Sequence, residues 1–410
     1  MGPSETCRRD LRGREKHSRL HTEKPWFRTV GRGFDSRHLH SSHVGRGPVA
    51  GSGGASVMRP HDRAWRCGDH THIDRWFTVL PSLSMTQTRA ALRPTVLTAL
   101  LAALLSVLLT PTPASAASLQ EVTGFGSNPG ALKMYRYVPD GLPAGRPVVV
   151  ALHGCTQNAA GYATGTGWTT LADRWGFSVV LPQQQSGNNS SQCFNWFQDA
   201  DIRRGQGEAA SVAQMVDRQL ADVSGNASRV YVTGLSAGGG MTSVMMAAYP
   251  EKFAAGGVVA GLPYGCAQAA GSPFVCMYVG ATQTPAQWGD RVRAARPGYT
   301  GPWPALTVLH GTADYTVKPV NMTDLVEQWT DVQGADRTAD VSDTVAGHPH
   351  QIFRGPDGKA VVETYGIDGM GHGQPVDPGS GTEQCGTAGA YFLDVGLCAA
   401  HRLGKAWQLG

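Results

Sequence analysis

The chain has 410 residues and a formal net charge of +4, a length that would accommodate two or three average domains. The charge is uneven: residues 1–84 carry +7, residues 85–116 carry +2, and −5 is left for residues 117–410. The positive charge of the whole chain therefore says nothing about the partners of residues 117–410, for which we expect no nucleic acid partner.

The first 116 residues differ in composition from the rest. Residues 1–84 hold 15 Lys and Arg, 8 of the 14 histidines and few aliphatic runs that would build a core. Met85 then begins a segment with two arginines, an apolar run at 96–109 and the small tripeptide Ala-Ser-Ala at 114–116. This order is typical of a secretory signal peptide. We therefore expect residues 85–116 to be a signal peptide, preceded by a disordered, non-native extension from an upstream start codon.

Two alternatives for these segments are a basic nucleic-acid-binding arm and a membrane anchor. The apolar run of 14 residues is shorter than the about 20 residues that cross a bilayer. The sequence instead predicts a secreted, extracellular protein that begins near Ala117, with no membrane contact after the signal peptide is removed.

Six of the eight cysteines lie after residue 117, and an even number outside the cell indicates disulfides. Six cysteines allow 15 pairings. Cys266 with Cys276 and Cys385 with Cys398 would close short loops, which leaves Cys155 with Cys193 by elimination. A metal site is the alternative, but the sequence has no CxxC, no HExxH and no tight His/Cys cluster, so we expect no metal.

From residue 117 onward, short β-branched runs alternate with helical segments, the pattern of a mostly parallel sheet with helices on both faces. The predicted strands are 146–154, 177–183, 228–234, 253–261, 305–311 and 361–367, the last being the final strand, and the predicted helices are 167–176, 208–223 and 322–332. With no internal repeat and no linker, we expect residues 117–410 to form a single α/β domain.

The pentapeptide Gly-Leu-Ser-Ala-Gly at 234–238 has the G-x-S-x-G pattern, with Ser236 at its centre. Alone the pattern is weak, since a plain turn gives the same string. Here a predicted strand precedes it and an apolar helix-like run follows it, as in a nucleophile elbow, whose sharp turn exposes the serine hydroxyl. We therefore predict that Ser236 is a catalytic nucleophile.

A serine nucleophile needs a base and an acid that orients the base. Asp314 follows the strand 305–311 and is the candidate acid, the alternative being a turn-forming Asp. Asp324 and Asp331 fall in a predicted helix and are expected to be solvated.

His372, in the glycine-rich loop after the strand 361–367, is the candidate base, because Ser-Asp-His is the chain order of this arrangement. Its rivals, His348 and His350, precede that strand and are interpreted as exposed loop residues.

Two backbone N–H groups are expected to stabilise the oxyanion. One is that of Ala237, and the other is that of Cys155, which follows the strand 146–154 in the sequence His-Gly-Cys. A Cys155–Cys193 bridge would brace this loop and the nearby aromatic segment 193–197. Within that segment Trp196 is a candidate platform for an acyl group, or a side chain that packs under the loop.

These residues resemble a known family. The segments 152–158 (LHGCTQN), 193–197 (CFNWF), 234–239 (GLSAGG), 310–314 (HGTAD) and 369–373 (GMGHG) resemble secreted esterases of the polyhydroxybutyrate depolymerase family over most of residues 118–400. The resemblance implies the α/β-hydrolase fold, a serine esterase that works without a cofactor, and the triad and oxyanion amides named above.

The same family includes acetylxylan and feruloyl esterases, and segments 296–304 and 327–329 resemble that carbohydrate-esterase branch equally well. The expected substrate is a polyhydroxyalkanoate or its oligomers, and the alternative is an acetyl or feruloyl ester of a plant cell-wall polysaccharide. We expect the enzyme to be a monomer. Many depolymerases of solid polyester continue into a linker and a binding domain, whereas this sequence ends at Gly410. We accordingly expect soluble oligomers, amorphous polyester or decorated xylan fragments.

Other functions compatible with the sequence are a peptidase or an acyltransferase on the same fold, and a non-catalytic secreted binding module. The complete triad in the right chain order argues against the binding module.

Overall fold

The computed structural model describes residues 117–410, which lie within one compact unit. The expectations for residues 1–84 and for the signal peptide at 85–116 fall outside these residues. Among the helices of the described part, none has both the length and the apolar character that a bilayer-spanning helix needs.

Twelve strands form the sheets of the described part. They are β1 Gln120–Val122, β2 Lys133–Tyr137, β3 Val148–Leu152, β4 Ser178–Gln183, β5 Val230–Leu235, β6 Ala255–Val259, β7 Ala305–Gly311, β8 Val341–Val345, β9 His348–Arg354, β10 Ala360–Ile367, β11 Gln374–Val376 and β12 Phe392–Asp394. The first ten make one sheet in the order β1-β2-β4-β3-β5-β6-β7-β10-β9-β8. The six central strands of this sheet, β4, β3, β5, β6, β7 and β10, run parallel to one another. At each end of the sheet two further strands, β2 and β1 or β9 and β8, pair with their neighbours in antiparallel fashion.

Ten helices connect or flank these strands. They are α1 Ala159–Thr166, α2 Trp168–Trp175, α3 Asp199–Ile202, α4 Gly207–Val223, α5 Ala237–Ala248, α6 Cys266–Ala270, α7 Pro273–Val279, α8 Pro285–Ala295, α9 Val320–Gln333 and α10 Ala399–Ala406 within residues 117–410.

The helices cover both faces of the sheet because its central strands are apolar on both sides. Along β3, Val148, Val150 and Leu152 belong to one buried cluster, and the alternating Val149 and Ala151 belong to the other. The first cluster also contains side chains of α4, α5 and α9, and the second contains side chains of α1, α2 and α10. This is the α/β-hydrolase architecture expected from the sequence, and the fold prediction is confirmed.

The predicted helices and strands of the central sheet are all present, with ends that differ by one or two residues at most positions. The prediction that β10 is the final strand is wrong, because β11 and β12 follow it as a small parallel pair. The interpretation of His348 and His350 as exposed loop residues is also wrong. Both lie in β9, which pairs with β8 and extends the sheet by two antiparallel strands.

Asp324 is a further correction. It lies in α9 as predicted, but its residue is only 7% exposed rather than solvated. Burial raises the pKa of its carboxyl to about 6. Asp331 is half-buried and forms an ion pair with Arg293 (Nη2 to Oδ2, 2.7 Å).

Parallel strands bring their carboxyl ends to the same edge of the sheet. Leu152 at the end of β3 pairs with Gly234 near the end of β5, and Ile367 at the end of β10 pairs with Gly311 at the end of β7. The loops that carry the predicted site residues therefore all leave the sheet at this edge.

Candidate active site

Ser236 occupies a strained turn between β5 and α5. Its backbone dihedrals are φ 57° and ψ −117°, which a non-glycine residue rarely adopts. The Ser236 N–H donates to Val259 O (2.9 Å), and Ser236 O accepts from the Gly240 N–H (2.9 Å). These bonds to β6 and to α5 hold the turn, and the serine residue remains partly exposed.

The glycines around Ser236 are required by close packing. A Cβ on Gly238 would lie 2.2 Å from Leu152 O, and a Cβ on Gly234 would lie 2.4 Å from the Gly238 carbonyl carbon. The turn is thus pressed against the end of β3, where only glycine fits. This packing brings the loop that carries Cys155 next to the turn that carries Ser236.

The buried Asp314 carboxylate is bound on both oxygens. Oδ1 accepts from the backbone N–H groups of Thr316 and Val317 (2.9 Å each), and Oδ2 accepts from His372 Nδ1 (2.7 Å). The first oxygen fixes the carboxylate, so that the second is aimed at the imidazole. The two backbone bonds also give the turn geometry that was the alternative interpretation of this residue.

Backbone bonds tie the loop of Asp314 to the loop of His372. The Thr312 N–H donates to Ile367 O (3.0 Å), the Ala313 N–H donates to Met370 O (3.0 Å), and the Gly369 N–H donates to Thr312 Oγ1 (2.9 Å). The acid and the histidine therefore belong to one braced unit at the ends of β7 and β10.

The hydrogen bond to Asp314 also sets the tautomer of His372. An ionised carboxylate only accepts, so Nδ1 carries the proton and, in the neutral ring, Nε2 holds the lone pair. The His372 side chain is 11% exposed, and its ring lies edge-on to Tyr391. No hydrogen bond within residues 117–410 joins the Ser236 hydroxyl to this ring, and such contacts commonly tighten only when substrate binds.

The loop after β3 is held by covalent and hydrogen bonds. Cys155 is bonded to Cys193, and the Thr156 N–H donates to Ser191 O (2.7 Å). The other two bridges are Cys266–Cys276 and Cys385–Cys398, so all three pairings are those predicted from the sequence. Ala237 is the first residue of α5, where a helix leaves its backbone N–H without an intrahelical partner. Its N–H and that of Cys155 therefore belong to neighbouring segments.

Two buried histidines support the site and were not singled out from the sequence. His153 Nδ1 donates to Gly154 O (2.7 Å) and its Nε2 accepts from the Gln184 N–H (3.1 Å). Burial lowers the pKa of His153 to about 4, so the ring is neutral and bonded on both sides. His310 Nε2 donates to Val317 O (2.8 Å) and thereby holds the Asp314 loop, and burial lowers its pKa as well. The signal in the sequence is the tripeptide Leu-His-Gly, which begins at the last residue of β3 and forms the last three residues of β7.

A buried carboxyl group supports the segment after Cys193. Glu208 Oε2 accepts from the Asn195 N–H (2.8 Å), and Oε1 accepts from the Gln184 side-chain amide, which also donates to Cys193 O (3.1 Å). Burial raises the pKa of Glu208 to about 8. Helical periodicity gave no signal for this residue, because a charged position in the first turn of a helix is ordinary.

Trp196 is only 6% exposed. It packs on α5, where a Cβ on Gly240 would lie 2.7 Å from Trp196 Cγ, and edge-on against Phe197 (5.5 Å between ring centroids). The burial favours the packing alternative over the acyl-group platform, since little of the ring is open to a ligand. Trp196 supports the first turn of the helix that begins after Ser236.

The rival histidines lie on β9, where His348 Nδ1 accepts from the Asp368 N–H (3.3 Å) at the start of the loop that carries His372. His350 is buried, with Nδ1 2.6 Å from Asp343 Oδ1 and Nε2 2.9 Å from Glu363 Oε1. His348 Nε2 lies 3.2 Å from Val395 O. Within residues 117–410 no group of three or more His, Cys, Asp or Glu side chains is placed to hold a metal ion.

The comparison with protein families shows which family the chain belongs to. A family model described as esterase PHB depolymerase matches residues 132–346. The chain belongs to this family of esterases. It is 54% identical over 299 residues to poly(3-hydroxyalkanoate) depolymerase C of Paucimonas lemoignei, covering 73% of this chain and 72% of that protein.

Relatives with other names are more distant members of the same group. Feruloyl esterase B of Neurospora crassa is 38% identical over 281 residues, covering 67% of this chain and 94% of that protein. The solved acetyl xylan esterase from Aspergillus awamori is 33% identical, with a TM-score of 0.57 over 62% of this chain and 94% of that chain. The protein is accordingly a serine carboxylic-ester hydrolase with the α/β-hydrolase fold.

Proposed function

We propose that this esterase cleaves poly(3-hydroxyalkanoate) or its oligomers, with Ser236 as nucleophile, His372 as base and Asp314 as orienting acid. The observation that carries the assignment of residues is the 2.7 Å bond between His372 Nδ1 and the buried Asp314 carboxylate, at the sheet edge where the strained Ser236 turn also lies.

In the proposed reaction the Ser236 oxygen attacks the ester carbonyl carbon while its proton passes to His372 Nε2. The tetrahedral intermediate then collapses, the bond to the alcohol oxygen breaks, and His372 gives the proton to that oxygen. Water repeats the sequence on the acyl-enzyme, with His372 again as base, and releases the carboxylic acid. Asp314 holds the imidazole and stabilises its charged form in both halves.

The oxyanion of each tetrahedral intermediate would accept hydrogen bonds from the backbone N–H groups of Cys155 and Ala237. Ala237 N–H lies at the N-terminus of α5, whose partial positive charge favours an anion there. The disulfide from Cys155 and the packing of Gly238 on Leu152 O keep the two segments at a fixed separation.

We choose polyester over polysaccharide esters as the proposed substrate because of sequence identity. The relative named for poly(3-hydroxyalkanoate) shares 54% of the aligned residues, against 38% and 33% for relatives named for feruloyl and acetyl xylan esters. The second candidate is therefore an acetylxylan or feruloyl esterase. For location we propose secretion, since three disulfides suit an oxidising compartment outside the cytosol.

A release assay with matched substrates tests this proposal. The wild-type protein is incubated with amorphous poly(3-hydroxybutyrate), acetylated xylan and methyl ferulate at equal ester concentration, and Ser236→Ala is the control. We expect release of hydroxybutyrate and its oligomers to be at least about tenfold faster than release of acetate or ferulate. Faster release from xylan or ferulate would select the second candidate instead.

A further inference from the structure

The exposed hydrophobic residues of the described part are concentrated in one place. The large hydrophobic side chains that are exposed within residues 117–410 are Phe274, Val275, Tyr278 and Val279 of α7, with Tyr315 and Val320. We call these six residues the α7 patch. Val279 is 69% exposed and Tyr315 is 74% exposed. Single exposed apolar residues are common, whereas a contiguous group of them marks an interaction or ligand-binding surface.

The six residues form one surface because α7 is fastened to the segment that follows Asp314. The Lys318 N–H donates to Met277 O (2.8 Å), and the Asn321 side-chain amide donates to Cys276 O (3.1 Å) and Met277 O (3.2 Å). The Cys266–Cys276 bridge turns the buried side of α7 inward. The apolar side chains of the helix therefore face solvent as a consequence of how it is anchored.

The patch is continuous with the loop of the proposed acid. Tyr315 directly follows Asp314, and the Lys318 ammonium lies 4.3 Å from the centre of the Tyr315 ring. Lys318 is also the residue bonded to α7, so the exposed ring and the helix share one anchor. The α7 patch is therefore joined, through Tyr315 and Lys318, to the loop that carries the proposed acid.

The chemistry of the patch identifies its ligand. The chain has no Asp, Glu, Lys, Arg or His between residues 253 and 289, so the charge that this surface is shown to carry is that of Lys318, whose ammonium lies over the Tyr315 ring. A charged or hydroxyl-rich partner would leave most of its polar groups without hydrogen-bond partners there, at a cost in free energy. An uncharged aliphatic ester chain has few such groups, so its transfer from water to the patch costs little free energy. Three valines stand among the aromatic rings, and these branched aliphatic side chains suit alkyl groups better than sugar rings.

We propose that the α7 patch is a docking surface for an aliphatic polyester chain, adsorbed there while one of its ester bonds occupies the active site. The proposal rests on the polyester function proposed above. It assigns α7 and Tyr315 a role in binding the polymer, separate from the chemistry at Ser236.

An adsorption experiment tests the patch without turnover. Three proteins are mixed in the cold with amorphous poly(3-hydroxybutyrate) particles, and the protein left in solution is measured. They are the wild type, the double variant Tyr278→Ser/Val279→Ser (the serine pair) and the double variant Tyr278→Leu/Val279→Leu (the leucine pair). The serine pair should lower the partition coefficient about tenfold, because two of the most exposed apolar side chains are lost, and the leucine pair should keep it within about twofold. Tyr315→Ser, a loop change that leaves α7 intact, should lower it severalfold. Thermal unfolding checks that all variants are folded.

Three results would overturn the proposal. One is equal adsorption by the serine and leucine pairs. Another is equal adsorption of the wild type to acetylated xylan particles. A third is a wild-type dimer in sedimentation that the serine pair dissociates, since a second copy would then cover the patch. Hydrolysis of a soluble hydroxybutyrate dimer is measured separately: failure there contradicts the polyester function, whereas failure of adsorption alone contradicts only the docking surface.

Discussion

Two histidines on neighbouring parts of the sheet both contact carboxylates, but they are placed for different tasks. His372 lies in a loop at the carboxyl edge and uses only Nδ1, with Asp314 as partner. His350 lies inside β9, where Asp343 and Glu363 meet both ring nitrogens and Tyr365 packs 4.6 Å from the ring centre.

The difference shows that a histidine–carboxylate contact is not by itself a sign of catalysis. Proton exchange with a substrate needs a ring nitrogen that is free to accept and a position that a ligand can reach. His372 meets both conditions, and His350 meets neither because its second nitrogen faces Glu363. The same pair of residue types is a candidate base at the sheet edge and a structural link within the antiparallel extension.

Among the substitutions that distinguish His372 from His350, the largest effect is expected from His372→Ala. Loss of the base should lower kcat/KM for p-nitrophenyl butyrate at least about a thousandfold with the fold retained, since this side chain belongs to a loop at the sheet edge and not to a core strand or helix. Steady-state kinetics and a thermal melt measure the two parts of this prediction. A loss of less than about tenfold would contradict the assignment of the base.

Much of the site was predictable because its signals are local. The apolar run Val148–Leu152 indicates a strand buried on both faces, and the glycines around Ser236 indicate a turn between a strand and a helix. Chain order then ranks His372 above its rivals.

The rest of the fold depends on tertiary contacts that local patterns do not report. The antiparallel strands Lys133–Tyr137 and Val341–Val345 carry polar residues on their open faces, so they resemble loops in sequence. Asp324 has the periodicity of a solvated helix position, and it is buried only because the chain around Gly280 and Ala281 packs against it. The burial of Trp196 likewise depends on its contact with Gly240, which is distant in sequence.

Two of the disulfides allow the same comparison between a loop of the proposed site and a region away from it. Cys155→Ser/Cys193→Ser should lower the free energy of unfolding by about 2–4 kcal/mol and also lower kcat severalfold, because the bridge restrains the loop of a proposed oxyanion amide. Cys385→Ser/Cys398→Ser should lower stability by a similar amount with little change in kcat. Denaturant unfolding and kinetics at a temperature where all forms are folded make the comparison. Equal effects of the two pairs on kcat would argue against the oxyanion role of Cys155.

Asp324 offers a buried carboxyl group with no histidine partner. Because its pKa is raised to about 6 from an ordinary value near 3.8, the folded protein holds a proton that the unfolded chain has released between about pH 4 and pH 6. The stability contributed by this group is therefore present below about pH 4 and is lost as the pH rises to about 6. Asp324→Asn should remove this slope and be more stable than the wild type above pH 6, by at most about 3 kcal/mol. Urea unfolding between pH 4 and pH 8 measures it, and a parallel pH profile of the two proteins would contradict the burial effect.

The smallest effect is expected from His350→Gln. The substitution removes one of two contacts to carboxylates, and Asp343 is itself 55% exposed, so the free energy of unfolding should fall by only about 1–2 kcal/mol. Its kcat/KM should stay within about twofold of the wild type. A large loss of activity without unfolding would place His350 in the reaction and would remove the distinction drawn between the two histidines.

The central claim is that Ser236 is the nucleophile served by His372, and covalent labelling tests it most directly. Diethyl p-nitrophenyl phosphate transfers its diethylphosphoryl group to an activated serine and releases p-nitrophenol. Intact mass and peptide mapping after partial inactivation should show one label per chain, on Ser236, in proportion to the activity lost, and much slower labelling of His372→Ala. A label on another residue, or inactivation that leaves Ser236 unmodified, would contradict the account.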